Sequence, residues 1–477
     1  MLFTCKNGEI LEEGLHHVET GSGSEKRRLI DEIFEPLKER WIALSLFCAL
    51  TCSQSCIWNT WGPIAESSIE AFPSWSNSTI ALLSNWGCIT YLTCCLPACW
   101  ILSRKGLLLP IRLAAILTAL ATLLRCVSSK ENIFTVMVHL AGITNGLSGV
   151  IIGPAIASLS AVWFPRGERT TATGISSACN QLGVAASYLV GPAVIGSPYF
   201  NDSLFLDKPA NFIDQKLSLH QSALKTQIVS FMRVQFIIQL LLTLEILLFF
   251  PKEVCHSTAI TRFGLLESVI SLLKNRNIWR LSLAAGLSQG ITGPWFAMMT
   301  MTFDTAITQS EADKLALWTV LFSSVLSLTV SRLMDIFQGH LRIAIHILLT
   351  TSSVMFLWVL LLNNRILTFH KHQLYMAVTL GISASWSTPA LFLELASEIA
   401  FPISEAIVGG YLIFLANLIG ALFYFCYFLP EMSERWSSYC VFINLTIATI
   451  LIKHVKDEYH RTATESSIRQ NYNDDAR

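Results

Sequence analysis

The sequence predicts an all-α membrane protein with twelve transmembrane helices in two six-helix bundles, and three observations predict it. Of 477 residues, 52% are hydrophobic and 14% charged, whereas ordinary soluble domains carry roughly 25% charge; mean hydropathy is +0.52. Apolar runs long enough to cross a bilayer, which takes about 20 residues, recur at 41–65, 79–102, 107–127, 132–163, 169–196, 227–250, 278–303, 314–334, 343–362, 373–397, 404–429 and 436–453. A polar interval at 251–277 divides these runs six and six, with a second polar stretch at 197–226 expected to form a loop. The predicted units are therefore a tail over 1–40, a first bundle over 41–250, a linker over 251–277, a second bundle over 278–453 and a tail over 454–477. Such a composition excludes a soluble enzyme, and a formal net charge of +0 offers nothing to nucleic acid. The expected partner is the lipid bilayer.

Taken in order, residues 1–39 are polar and mixed in charge, without the pattern of a cleavable signal. They contain Glu25-Lys-Arg-Arg-Leu29-Ile30, the form of an acidic dileucine signal that clathrin adaptor proteins read on cytosolic tails when routing cargo to lysosomes. The alternative is the start of an amphipathic juxtamembrane helix. Lys26, Arg27, Arg28, Lys38 and Arg40 precede the first span, Arg104, Lys105 and Arg112 follow the second, and Lys252, Arg262, Lys274, Arg276 and Arg280 surround the linker. Basic residues favour the cytosolic side, so both termini are expected there. Glycosylation triplets begin at Asn77 and Asn201, in segments expected on the opposite side; a third, at Asn444, falls inside a span and is discounted.

Several spans carry residues that lipid does not favour. The first holds Trp58-Asn59-Thr60-Trp61-Gly62-Pro63. Proline removes a backbone donor and frees a carbonyl one turn back, so the helix is expected to break and present Trp58 and Asn59 to a cavity; the interfacial alternative fits Trp61 better. The fifth span follows a Trp163-Phe164-Pro165 stop and a charged link, Arg166, Glu168 and Arg169. It carries Asn180 and Gln181 in mid-span, a costly pair unless it binds something. Gly183, Ser187 and Gly191 recur every four residues, as Gly174 and Ala178 do before them, giving a smooth face for close helix packing. In the seventh span Gly290, Gly293 and Pro294 are expected to break the helix beside Trp295 and Phe296, and the eleventh carries Asn417. The tenth carries Glu394, a candidate proton or cation site if desolvation favours its neutral form, with Glu398 and Glu405 nearer the interface. Arg233 and Glu245 of the sixth span share a face but lie about 18 Å apart along it, too far for an ion pair. The thirteen cysteines fall mostly in apolar runs, without paired spacing or histidine partners, and read as free, packed thiols. No metal constellation, phosphate-cradling loop or nucleophile triad is present, so no cofactor is expected.

Two bundles of six around a middle linker also outline the major facilitator architecture. Carriers of that kind have a G-x-x-x-D-R-x-G-R-like cytosolic motif between the second and third spans. The chain keeps Arg104, Lys105 and Gly106 there but has Ser103 where the acid would stand; the second-half counterpart, Ser331-Arg332-Leu-Met-Asp335, retains the acid. The latch of the first half is therefore expected to be weakened. The run from Ser187 through Gly191 and Pro192 to Gly196 partly matches the antiporter element of the fifth span.

The combination WFP…ER…AT…NQLG over 163–183, RW at 40–41, WNTWGP over 58–63 and ALLSNWG over 81–87, with Glu394, Phe401-Pro402 and Glu405, resembles the feline leukaemia virus subgroup C receptor-related family of solute carriers. WNTWGP and the Leu-Arg-Cys at 124–126 are most similar to its disrupted-in-renal-carcinoma branch. The resemblance implies alternating-access transport of small amine-containing or aromatic solutes, among them choline, haem-related cargo and, in that branch, vitamin B6 vitamers at lysosomes. It places Gln181 and Asn417 in a substrate cavity. The cavity Trp of choline-carrying relatives falls near Ser55, with Trp58 one turn away, which argues for a flatter substrate. A ring such as pyridoxine would then stack on Trp58 or Trp295, near Phe296, and bond to Asn59, Asn180, Gln181 and Asn417. The main expectation is a lysosomal, proton-coupled exporter of pyridoxine-like solutes. The alternatives are a choline or haem-related carrier at the plasma membrane, and a non-transporting receptor or sensor on the same scaffold.

Overall fold

The computed structural model describes residues 39–195, 210–252, 264–299, 307–426, 436–464 and 466–467. The dileucine segment at 25–30 and the Asn201 triplet lie outside the described residues. All regular elements within them are helical. The first half runs α1 (Arg40–Trp58), α2 (Ala65–Ala71), α3 (Asn77–Lys105), α4 (Leu108–Leu124), α5 (Glu131–Trp163), α6 (Arg169–Val194) and α7 (Ala210–Phe249). The second runs α8 (Leu265–Lys274), α9 (Arg276–Ala297), α10 (Gln309–Ile336), α11 (Leu341–Asn363), α12 (Lys371–Trp386), α13 (Pro389–Ile399), α14 (Glu405–Cys426) and α15 (Trp436–Lys453).

Local chemistry sets many of these limits. Ser76 and Thr79 form a capping box at the start of α3, Thr308 and Glu311 another at α10, and Asn275 accepts from the amides of Asn277 and Ile278 at α9. Pro165 disfavours helix at the residue before it and stops α5. Where α10 and α12 begin, Lys371 of α12 donates to Glu311 at 2.9 Å. That bond, with the Thr308 amide, holds the Glu311 carboxyl below its ordinary 4.5. The tie is therefore complete above that pH and is lost only as pH falls through the lowered value.

Nine helical segments among the described residues are long and apolar enough to cross a membrane, α12 and α13 counting as one. α4 is apolar but has 17 residues, about 25 Å of rise. α6 and α9 have 26 and 22 residues but are rich in Gly, Ser, Thr and amides. Their polar side chains, including Thr173, Ser176, Gln181, Ser288 and Thr292, are turned into the protein. Each of the twelve predicted runs thus coincides with a helix, and the two least apolar ones are interior. Leu109, Leu113, Ile116 and Leu120 of α4 and Ile237, Leu241, Leu244 and Leu248 of α7 form exposed apolar stripes suited to lipid.

Three expectations are corrected. The stretch 197–226 is not simply a loop, because α7 already begins at Ala210. Its early turns have partners: Leu224 and Ile228 are buried, Lys225 pairs with Glu131 at 3.2 Å, and Gln221 donates to Glu70 of α2. The polar interval contains α8, which buries Ser268 and Leu272 and exposes Leu266, Ile270 and Leu273, the pattern of an amphipathic helix at an interface. The seventh span is not broken at Gly290 or Pro294, since α9 continues to Ala297. There the Gly290 carbonyl that Pro294 leaves without its helical donor faces Gly420, where an added Cβ would lie 3.2 Å away.

α6 packs along α10, and α14 along α3 and α5, so the halves meet on two sides. Small residues permit this closeness. A Cβ on Gly183 would lie 2.0 Å from the Cys52 carbonyl oxygen of α1, and one on Gly174 would lie 2.3 Å from Ser331 Oγ of α10. The stripe expected for close packing therefore serves two different neighbours.

Candidate functional site

The tenth span contains a break that organises the middle of the protein. Pro389 has no N–H, so the Ser385 carbonyl loses its helical donor. Gln289 Nε2 of α9 donates to that carbonyl and to Thr388 Oγ1, both at 3.0 Å. The next carbonyl, of Trp386, accepts from Gln181 Nε2 of α6 at 2.7 Å, while Ser323 of α10 donates to Gln181 Oε1 at 2.8 Å. Gln181 is 6% exposed and satisfied at both ends of its amide. It ties the first half to two helices of the second. Beside it Phe296 meets Trp386 edge-on at 5.0 Å and Tyr188 of α6 at 5.9 Å.

The first span breaks as expected. α1 ends at Trp58, and Asn59 donates to Ser187 Oγ of α6 at 2.8 Å. Trp58 lies in a slot on α3, where a Cβ on Gly87 would fall 1.9 Å from the indole. Its other neighbours are Cys88 of α3 and Met298 and Tyr424 of the second half. A cleft beside it is lined by Trp58, Trp61, Gly87, Arg125, Gly142 and Asn145. Gly87→Ala is expected to push the indole out of its slot and, if Trp58 contacts solute, to reduce uptake into vesicles more than tenfold while costing about 1–3 kcal/mol of stability; unchanged uptake would release Trp58 from that role.

Other candidates are placed differently. Trp295 is fully buried against Phe356 at 5.0 Å within the second bundle; it is a core residue and cannot stack on a solute in this state. Asn417 Nδ2 bonds to Ile413 of its own helix at 2.9 Å, with no direct bond to Gln181. Asn180 is half-buried and makes no hydrogen bond among the described residues. Glu394 is corrected most clearly. It is not a lone carboxylate within a span, because Arg461, from the segment after α15, pairs with it. Arg461 also bonds Glu398 at 3.1 Å and approaches Glu405 at 3.8 Å, and Thr462 donates to Glu398 through its amide and hydroxyl, each at 3.0 Å.

On the same face, Asp335 accepts from the amides of Thr170 and Thr171 at 3.2 and 2.6 Å and from Thr171 Oγ1 at 2.5 Å, at the start of α6. Glu168 pairs with Arg40 at 3.1 Å, and Arg169 Nε donates to the Phe164 carbonyl. Arg104 and Lys105 are exposed, without ion pairs among the described residues, and Gly106 ends α3 with φ 72°. The acid-bearing latch of the second half is engaged; the one expected from Arg104 and Lys105 is not. Asn77 is exposed at the first residue of α3.

Sequence reading gave no site role to Arg125, Tyr188, Gln289, Ser323, Trp386 or Arg461. Gln289 had a signal, an amide in an apolar span one residue before Gly290. Arg461 had none, since nothing in a polar tail marks which arginine will be buried.

No family model matches the chain. It is 29% identical over 432 residues to the solute carrier family 49 member 4 homolog of Xenopus laevis, covering 88% of this chain and 92% of that protein. It is 24% identical over 410 residues to the choline/ethanolamine transporter FLVCR2 of Rattus norvegicus, covering 82% and 69%. Among solved structures, the fold superposes on FucP, a major facilitator superfamily transporter in its outward conformation, with a TM-score of 0.66 at 16% identity, over 88% of this chain and all of that one. A bacterial homologue of the iron transporter ferroportin in its outward-facing state gives 0.61 at 13% identity, over 87% and 99%.

Proposed function

Because this chain is a major facilitator solute carrier of the feline leukaemia virus subgroup C receptor-related family, we propose that it moves a small neutral aromatic solute by alternating access, namely lysosomal export of pyridoxine-like compounds. The observation that carries this reading is the bridge at Gln181. Alternating access rocks one bundle against the other around a central site, and Gln181 joins the two halves at mid-span, between Trp386 and Ser323. Trp58 offers an indole for stacking and Asn59 an amide; Phe296 is buried between Trp386 and Tyr188 here and becomes an aromatic wall only in another conformation. Asn180 and Asn417 stand as further contacts in another conformation, and Trp295 is left out.

Exchange of the Gln181 bonds for bonds to solute would link binding to bundle movement. Proton coupling belongs to this reading, but Arg461 holds Glu394 in an ion pair, so Glu394 is not its carrier in this state. Likeness to FLVCR2 supports choline as the second reading, at the plasma membrane.

The test is uptake of labelled pyridoxine and choline into vesicles carrying the purified chain, with and without a pH gradient. Gln181→Ala removes two buried hydrogen bonds, each costing about 1–3 kcal/mol when one partner is left unpaired, and is expected to lower pyridoxine uptake at least tenfold. Brisk choline movement with no movement of any vitamer would refute the substrate. Replacing Leu29 and Ile30 by alanine is expected to shift the protein from lysosomes to the cell surface, by imaging; unchanged location would remove the sorting signal.

A further inference from the structure

Arg125 follows α4 and is 2% exposed. Its Nη2 donates to the Ile57 carbonyl at 3.0 Å and its Nη1 to Thr60 Oγ1 at 3.3 Å. The guanidinium carbon lies 5.6 Å from the centre of the Trp61 ring. These contacts close the end of α1, where final carbonyls lack partners and the helix dipole attracts a cation. They do not neutralise the charge. Arg125 has no carboxylate partner among the described residues, and its Nε–H is buried without an acceptor.

The ionisable neighbours are thiols, Cys56 and Cys126. Charged groups on the surrounding helices are remote or engaged: Arg40 begins α1, Glu70 of α2 accepts from Gln221 and Glu66 has a partner too, Arg104 and Lys105 end α3, and Glu131 of α5 is held by Ser74 and Lys225. α7 contributes Arg233, a second positive charge. A fixed positive charge therefore lines the cleft at Trp58, together with Asn145, whose Oδ1 is likewise buried and unbonded.

We infer that Arg125 is the specificity-determining residue of this carrier, its charge excluding permanently cationic solutes from the Trp58 cleft while admitting neutral or anionic ones. The inference rests on the reading that solute occupies the cleft at Trp58. Magnitudes decide between two opposing effects. A cation stacked on an indole gains about 30-fold in binding when desolvated, and less where water reaches it. A second unit charge about 6 Å from Arg125 loses roughly 100-fold at an effective dielectric near 20. Arg125 already occupies Trp61, which weakens the attraction further.

The test compares wild type, Arg125→Gln, Arg125→Lys and Asn145→Asp in vesicles, using choline as the permanent cation and pyridoxine as the neutral ring. Binding is followed by indole fluorescence and transport by uptake. Asn145→Asp changes no shape and places a carboxylate in the same cleft, so it tests the charge even if Arg125→Gln does not fold. Wild type and Arg125→Lys are expected to exclude choline; Arg125→Gln and Asn145→Asp should raise the choline-to-pyridoxine ratio at least ~10-fold. Wild-type protein that takes choline as readily as pyridoxine overturns the inference. So does an unchanged ratio in a folded Arg125→Gln or Asn145→Asp protein. If wild type carries no vitamer, yet choline binds only after Asn145→Asp, the pyridoxine reading fails and the charge filter stands.

Discussion

Arg461→Ala is expected to lower the melting temperature of the detergent-solubilised protein by several degrees and to make the segment after α15 cleavable by added protease. The guanidinium is 4% exposed and is shared by Glu394, Glu398 and Glu405. Removing it leaves like charges facing each other with little water, and breaking a buried pair in this way costs about 3–5 kcal/mol. The segment has other attachments: Arg342 pairs with Asp457 at 3.0 Å, Arg280 donates to the His454 carbonyl, and the Leu341 amide donates to Tyr459. These surface contacts are each worth little by comparison. Combining Arg461→Ala with Glu394→Gln and Glu398→Gln should restore much of the loss, because the repulsion is removed along with the cation. A single variant that melts and resists protease like wild type would show that the cluster holds nothing.

Asp335→Ala has the second large effect, on conformation rather than stability. One carboxylate of α10 accepts three hydrogen bonds from the start of α6. There the helix dipole favours an anion, and bonds to a charged group contribute about 1.5–3 kcal/mol each. Losing even one such bond moves a two-state equilibrium by about 10- to 100-fold. The face carrying the start of α6 and the end of α10 should therefore open. Spin labels at Gly167 and Arg332, both exposed and on opposite halves, should report a longer, broader distance distribution, with Asp335→Asn intermediate. The same distribution as wild type would remove the latch.

The twelve helical runs were legible because bilayer thickness fixes span length, and the apolar composition needed is local. The break after Trp58 was legible for a similar reason: Pro63 and the clustered indoles act within one turn. Asn59 and Gln181 were legible as amides that lipid rejects, although neither their partners nor Gln289 beside the Pro389 break could be read. The misreadings share a cause. Trp295 and Glu394 were judged from their own spans, and each is decided by a residue far along the chain, Phe356 for one and Arg461 for the other.

By itself the sequence determined the medium, the number of helical runs, their division into halves and the places where a helix cannot continue, because these depend on composition and covalent geometry over a few turns. Only the tertiary structure decided which polar groups face each other. Gln181 became a bridge, Asp335 a latch, Arg461 a plug and Arg125 an uncompensated charge, because a buried polar group is defined by its neighbours across helices, and those neighbours are chosen by packing.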